Sequence, residues 1–594
     1  MYLRTVKAAG GGGEVHEYVR LVESYRENGK NKQRVVLSLG RKDVLAAHLD
    51  SLIRLLRGEP ATPTESSQLR AVGAWDWGPV LAARALWREL DLEAILERYG
   101  GRSRADREAL SERTFVLVAN RLCAPQSEHG LARWLETDFV CDRHGRRWMP
   151  QWRDDTERKK SRLPRVRVEF RQLKQWYRTL DQLVAHKPEI EKELYFRLRD
   201  LFSLKVDLVF YDLTSTYFEG AGPPKLGAHG YSRDGKPRNR QVLVGVVMVH
   251  GWPIAHHVFR GNIHDDQTVK SVVEDLEVRF GLKRVVFVGD RGMVSREALT
   301  FLKAERKRGG QHGYLVGLQR RRRKDIFRYI EAATGPWTEC PVGITASEKS
   351  DPPKTLVQEV VSGEPGVRVF VVHSDERLAY EQAMRGRSME RTRVLLEKLK
   401  KRVDKGRLKA PEKVGAAAAR ILTRNHGDRY YAWDLQDGAF RFFESENLAS
   451  EKAYEGKYLI RTEEENLGPV EAVQAYKELA EVERGFRAIK DVIELRPIFH
   501  QTDRRVEAHI FVAALAFLLH RAIEKKLKSA GLDLSATEAL KTLSTVRVVD
   551  IDLGDGRVKR SVARGSHRAG RILTALGITD PEPPTPPDRE ATVV

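Results

Sequence analysis

The run Val206–Gly220, VDLVFYDLTSTYFEG, places five mostly apolar residues directly ahead of an aspartate, Asp212. β-branched and aromatic residues in such a run favour a buried strand. A carboxylate at its end has left bulk water and needs a cationic partner. RVVFVGDRGMVS, Arg284–Ser295, repeats the arrangement and carries Asp290 at the strand end. Two carboxylates brought together in one sheet repel by about 4 kcal/mol at roughly 4 Å in an effective dielectric near 20. Arg291 is one possible neutraliser. With only oxygen donors at hand, and neither a cysteine nor a histidine pair beside them, a hard cation such as Mg2+ fits the two acids better.

Outward from Asp212, short β-branched or apolar runs recur at Lys205–Leu213, Gln241–Val249, Pro253–Phe259, Arg284–Gly289 and Tyr314–Leu318. Helical periodicity follows the third run (Gln267–Phe280) and the fourth (Arg296–Arg308). The order β-β-β-α-β-α-β predicts a mixed sheet with helices on its faces, in a multidomain α/β chain. Residues 1–60 read as a small β-rich cap, closed by the polar stretch RGEPATPTESSQ, and 61–204 as a helical domain. The sheet begins at 205 and is interrupted at 324. An inserted β-rich domain is expected over 324–464, with strand-like VRVFVV, DRYYAWDL and AFRFFES and one basic helix, Glu390–Arg407. Helices over 465–530 complete the core, and 531–594 ends in a proline-rich tail expected to be disordered.

The chain of 594 residues carries 104 Lys+Arg against 83 Asp+Glu, a net charge of +21. Such an excess favours a polyanionic partner, nucleic acid first. The basic segment from Arg143 to Lys174 offers Arg146, Arg147, Lys159 and Lys160 as phosphate contacts, with Trp148 and Trp152 among them as core residues. Three scattered cysteines exclude a disulfide framework and a thiolate zinc site, and Cys141 with His144 lacks two further ligands. His256 and His257 are neighbours on a strand and point to opposite faces, so they cannot share one metal. Trp433 is a weak candidate for stacking an extruded base. No apolar run is expected to reach the roughly 18 residues of a membrane span, and no signal-peptide core opens the chain.

A third acid would complete the carboxylate site. The helix AVQAYKELAEVERGFRAIKDV offers Glu478, Glu481, Glu483 and Asp491, and spacing alone does not choose among them. Taken together, YDLTSTYFEG, VVFVGDRGM and the spacing Tyr476-x6-Glu483-x6-Lys490 resemble the DDE transposases of bacterial insertion sequences. The resemblance is to the insertion-sequence-four superfamily, in its insertion-sequence-1634 branch, whose last motif reads Y-x2-R-x3-E-x6-K. RLCAPQSEHGLARWL, GYSRDGKPRNRQVLVGVVM and HQTDRRVEAHIFVAALAFLLHR are also similar to stretches of such proteins.

The resemblance implies a ribonuclease-H-like core in which Asp212, Asp290 and Glu483 hold two Mg2+ ions, with Mn2+ able to substitute. It places the core in 205–323 and 465–530 and makes 61–204 a DNA-binding domain. It makes Tyr476 and Lys490 contacts to terminal DNA phosphates. The motif's arginine falls at Leu479, and Arg484 and Arg487 on the same helix are the cations able to take its place. The implied activity is cut-and-paste transposition: cleavage at element ends and strand transfer into target DNA. Its partners are double-stranded DNA, as terminal inverted repeats and target, and a second copy of the chain in the DNA complex. A cytoplasmic, nucleoid-associated protein of a prokaryote is expected, with no membrane partner. Another nuclease on the same core, or a catalytically silent DNA-binding regulator, are the alternatives. The intact trio of acids argues against the regulator; the large insert with Tyr476 and Lys490 argues against the other nuclease.

Overall fold

The computed structural model describes the chain except for residues 10–14, 28, 48–69, 151–171, 203–207, 283–284, 291–299, 302–311, 319–323, 342–352, 554–557 and 585–594. The linker RGEPATPTESSQ, Trp152, Lys159, Lys160 and most of the expected helix Arg296–Arg308 lie outside the described residues.

The chain divides into two units, Met1–Trp75 with Val548–Ala563, and Asp76–Arg547 with Arg564–Val594. In the first, β1 (Tyr2–Ala9), β2 (Val15–Glu27) and β3 (Lys30–Arg41) form an antiparallel sheet, followed by a short helix α1 (Lys42–Ala47). β4 (Arg70–Asp76) belongs to a second small sheet, completed by strands from near the C-terminus. That return of the chain was not foreseen from the sequence, because strand partners hundreds of residues apart leave no local pattern.

The second unit opens with helices α2 (Gly78–Glu89), α3 (Leu92–Glu97), α4 (Arg104–Cys123), α5 (Leu131–Thr137), α6 (Leu173–Ala185) and α7 (Lys187–Phe202), as the 3.6-residue pattern predicted. Trp87 and Phe115 meet edge to face in its core, and Trp148 packs on Trp176. Next come β5 (Leu208–Tyr217), β6 (Gln241–Val249), β7 (Trp252–Arg260), helix α8 (Asp265–Phe280), β8 (Val286–Asp290) and β9 (Gly313–Leu318). α9 (Lys324–Ala332), β10 (Thr338–Glu339), β11 (Thr355–Val361) and β12 (Arg368–Ser374) follow. The chain continues through α10 (Asp375–Asp404), α11 (Pro411–Asn425), β13 (Tyr431–Gln436), β14 (Ala439–Glu444), α12 (Asn447–Tyr454) and β15 (Lys457–Thr462). It ends with α13 (Pro469–Arg487), α14 (Asp503–Ser529), α15 (Ala536–Leu543), β16 (Arg547–Asp552), β17 (Val558–Ala563) and α16 (His567–Ala575).

One nine-stranded sheet organises the second unit, in the order β10-β11-β12-β15-β9-β8-β5-β6-β7. β5 is antiparallel to β6 and parallel to β8, and β8 is parallel to β9. Every residue of β6, QVLVGVVMV, is buried, as a strand covered on both faces requires. α14 packs against α4, α6 and β7. It carries buried residues around its whole circumference, from Val506 to Leu527.

Two expectations are corrected. The segment 324–464 is not a separate β-rich domain: β10, β11, β12 and β15 extend the main sheet, and helices α10 and α11 dominate what remains outside it. Strand-like runs such as VRVFVV reveal a strand but not the sheet that receives it. The second correction concerns the membrane. α14 is long and apolar enough to cross a bilayer, but 83% of its apolar window is buried inside the protein, so it serves as a core helix.

Candidate active site

β5 and β8 lie side by side, with Phe210 opposite Val288. Two residues further along both parallel strands bring Asp212 level with Asp290. Asp290 in turn sits opposite Gly317 on β9, and Asp212 opposite Val246 on β6. Asp290 ends β8 as expected, but Asp212 does not end its strand: β5 continues to Tyr217, because polar Thr214, Ser215 and Thr216 keep pairing with β6. The two backbones are neighbours across one ladder spacing, ~4.8 Å between strands.

α13 runs across β5, β8 and β9. Its placement is fixed by Tyr476, which stacks on Tyr458 of β15 with ring centroids 5.6 Å apart. The Tyr476 hydroxyl is so close to Gly317 that a Cβ built there would lie 2.0 Å from it. Because Gly317 is the ladder partner of Asp290, Tyr476 marks the level of that aspartate. Glu483 is seven residues on, about two turns or ~10 Å along the helix. The backbones of Asp212 and Asp290 thus lie side by side on two central strands, and the helix that carries Glu483 packs across those strands. The side chains of these three acids, and of Arg484 and Arg487, lie outside those described.

Leu479 is only 4% exposed, and it stands where the resemblance asks for arginine. Past Arg487 the helix widens into a π turn, Ala488–Val492, which carries Lys490. Such turns shift the register of the residues after them and occur often at functional sites. Lys490 Nζ donates to Asp234 Oδ1 at 2.9 Å, and Arg496 shares the same carboxylate. Burial pulls the Lys490 ammonium below lysine's usual range, against the opposing pull of Asp234. Asp234 belongs to the loop GYSRDGKPRNR, whose Arg233 amide donates to Ser215 Oγ at 3.1 Å, three residues beyond Asp212 on β5. The chain after the π turn is then stapled to the end of β5: the Ile498 amide donates to the Tyr217 carbonyl, and the Glu219 amide to the Ile498 carbonyl, both at 3.0 Å. Asp234, which joins the basic loop to Lys490, went unnoticed in the sequence because its partners are 256 and 262 residues away.

Arg146 and Arg147 are not brought to this site, and both are engaged locally. Arg146 Nε donates to Asp142 at 2.7 Å, while Arg147 lies 5.5 Å from the Phe139 ring centroid. His256 and His257 separate as expected: His256 Nδ1 is 2.7 Å from Glu191, and His257 Nε2 is 3.4 Å from Asp275. Trp433 packs on Phe440 at 5.8 Å.

A further group with metal-ligand chemistry, missed in the sequence, joins Glu128, His500 and His509, with ligand atoms within 4.8 Å of one another. Arg121 shares this cluster, its guanidinium 3.4 Å from His509 Nδ1, while His509 Nε2 is 3.4 Å from the Leu495 carbonyl. Burial alone would raise the Glu128 carboxyl. The His500 hydrogen bond and the surrounding positive charge instead bring it down to about 2. The Glu128 carboxylate is already paired with His500, and the Arg121 guanidinium beside His509 would repel a divalent cation. The cluster ties α4 to the segment that staples β5.

The description "Transposase DDE domain" matches residues 208–519, and "IS1634 family transposase, N-terminal domain" matches residues 3–64. No curated protein matches the chain. Among solved structures it is similar to the piggyBac transposase in a synaptic complex with hairpin DNA, at 8% identity over 79% of this chain and 80% of that one, with a TM-score of 0.32. It is also similar to the Mos1 transposase in a paired-end complex with the left transposon end, at 12% identity over 32% of this chain and 56% of that one, with a TM-score of 0.13. With the DDE domain matched over more than half its length, the chain belongs to the DDE transposases, in the IS1634 family, enzymes that cut DNA and transfer the cut strand.

Proposed function

We propose that Asp212, Asp290 and Glu483 are the three acids of this transposase and that β7-β6-β5-β8-β9 is a ribonuclease-H-like core. The observation that carries this reading is the level placement of the two aspartates on adjacent parallel strands, beneath the helix that bears Glu483. An all-carboxylate donor set suits hard, oxygen-seeking cations, and the proposed occupants are two Mg2+ ions, with Mn2+ able to replace them. When bound, such a pair supplies activation of an attacking oxygen and stabilisation of a leaving one in phosphodiester displacement.

The chain's own residues do the rest. The three acids would concentrate negative charge at one point of the sheet and fix where the scissile phosphate can be approached. Lys490 and Arg496, gathered by Asp234 beside the basic loop, would receive the terminal phosphate of the bound element end, with Tyr476 holding α13 at the correct height. The same site would first use water to nick the element end. It would then present the liberated 3′-hydroxyl to target DNA, with no covalent intermediate on the protein.

Purified protein with Mg2+ and a duplex carrying the end of the element that encodes it tests this reading. Cleavage at the terminus, abolished by chelator and restored by Mg2+ or Mn2+, is expected. Binding of the end without any cleavage under both metals would overturn the assignment of the acids.

A further inference from the structure

We infer that the helical hairpin α10–α11 is a DNA-binding arm, whose basic tip grips the phosphate backbone of the duplex about one helical turn from the bond being cut. This inference rests on the proposed carboxylate site.

The arm starts at the carboxylate end of the sheet. Asp290 is opposite Gly317 at the end of β9, Leu318 is opposite Leu459 near the start of β15, and Lys457 is opposite His373 at the end of β12. The next residue, Ser374, is the N-cap of α10. The first half of α10 is fastened at this root. The Gly456 amide donates to Glu381 at 3.0 Å, and Arg385 pairs with Glu455 at 2.9 Å. Further out the arm has a core of its own, in which Leu396, Leu399 and Val403 pack on Val414, Ala418 and Leu422. α10 has 30 residues, so its end stands about 45 Å along the helix from the root. A turn of B-DNA measures roughly 34–36 Å.

Charge collects at the far end. Between Glu397 and Lys413 stand eight basic residues and three acidic ones. Glu397 is taken by Arg393, and Asp404 by Lys400 at 3.0 Å. Lys398, Lys401, Arg402, Lys405, Arg407 and Lys409 are exposed and have no carboxylate partner among the described residues. Cations in a last helical turn complement the helix dipole, which accounts for Lys401 and Arg402. It does not account for Lys405, Arg407 and Lys409, which lie in the connection beyond the helix. Long cationic side chains with no aromatic or amide groups among them suit phosphates rather than base edges, so the arm would bind any duplex sequence.

The test uses the full chain with Lys401, Arg402, Lys405 and Arg407 all changed to Gln. Its binding to an arbitrary 30-base-pair duplex is measured by fluorescence anisotropy over a KCl series. The slope of log affinity against log salt should flatten by about three to four, at ~0.9 for each phosphate that is no longer neutralised. In cleavage of the element end, KM for a 30-base-pair fragment should rise about tenfold or more with kcat unchanged. KM for a fragment trimmed to 10 base pairs, too short to reach the tip, should stay as in the unmodified chain. A companion carrying Lys401→Arg and Lys405→Arg should behave like the unmodified chain in both assays, and a normal thermal midpoint for the Gln variant checks that the arm's core is intact. An unchanged salt slope, or an equal rise in KM for both fragments, would overturn the arm. If the unmodified chain fails to cleave either fragment, the carboxylate site is at fault rather than the arm.

Discussion

Leu479 is buried in the face of α13 that meets the sheet, so an arginine there would have to hide a guanidinium where no water reaches. An apolar leucine suits that buried position on the helix that carries Glu483. The acids themselves give the sharpest expectations at this scale. Asp212→Asn, Asp290→Asn or Glu483→Gln should each lower cleavage by about a thousandfold or more, leave duplex affinity in chelator within a few fold, and leave the thermal midpoint unchanged or higher, since each relieves like-charge repulsion. Cleavage that survives Glu483→Gln but not Glu481→Gln or Glu478→Gln would reassign the third acid. A different residue pair sets the response to pH. Lys187 and Arg279 both pair with Glu191, so His256 beside it donates from Nδ1 as a neutral ring. Burial is the main force that brings His256 down to about 4 and His257 to about 3. Both rings are neutral when folded, and in the unfolded chain they take up a proton near the ordinary value of 6.5. Their contribution to stability is therefore complete above about pH 6.5 and is lost progressively as pH falls toward 4 and 3. The thermal midpoint should drop across that window, and His257→Gln should flatten the drop; a profile flat from pH 7 to 4 would contradict the assignment.

Among the elements, one of the contacts that seat α13 is close enough to be tested directly. A methyl group at Gly317 would collide with the Tyr476 hydroxyl, and stacking on Tyr458 restricts how far that ring can retreat. Gly317→Ala should cost about 1–3 kcal/mol, as overpacking does, and should lower cleavage more than DNA binding because the helix bearing Glu483 is lifted from Asp290. Tyr476→Ala removes the obstacle. The double variant should therefore lose less stability than the sum of the two single changes, and strict additivity in a denaturant-melt cycle would show that the contact does not seat the helix. The strands beneath α13 were legible in the sequence because each is a short apolar run ended by a turn; Gln241–Val249 is β6 residue for residue. The long helix was equally legible from Pro469 onward, although its last turn is π rather than α. The root half of α10 was not. Tyr380 and Met384 are exposed there and Gly386 interrupts the run, so no apolar stripe announces this half of the helix, which its capping serine, the Gly456 amide on Glu381 and the Arg385–Glu455 ion pair help to hold in place. At the site the two aspartates could be read because each follows an apolar run, although only Asp290 ends its strand and β5 runs on past Asp212 to Tyr217; a single helix offered four acids and no local rule to rank them. Asp234 and the Glu128, His500 and His509 cluster were illegible because their contacts cross the chain by hundreds of residues.

For the molecule as a whole the governing quantity is charge. A chain at +21 repels a second copy of itself, while DNA supplies the opposite charge in the densest form available. Transposition sets a geometric demand against that repulsion: two element ends must reach one target together, and one carboxylate site per chain serves one end at a time. A two-fold symmetric pair provides two sites and two arms with a single repeated interface, the simplest closed arrangement. Phosphates bound along each chain would remove the charge that keeps the copies apart. We therefore expect a monomer or weakly associating dimer in the absence of DNA, and a complex of two chains with two duplexes when element ends are present. Light scattering with and without an end duplex checks this, read at two salt concentrations, because screening should promote pairing of the free chain as the Debye length falls from ~10 Å at 0.1 M to ~3 Å at 1 M. A complex that stays at one chain per duplex while cleavage proceeds would show that a single chain acts on one end alone, and the paired arrangement would have to be abandoned.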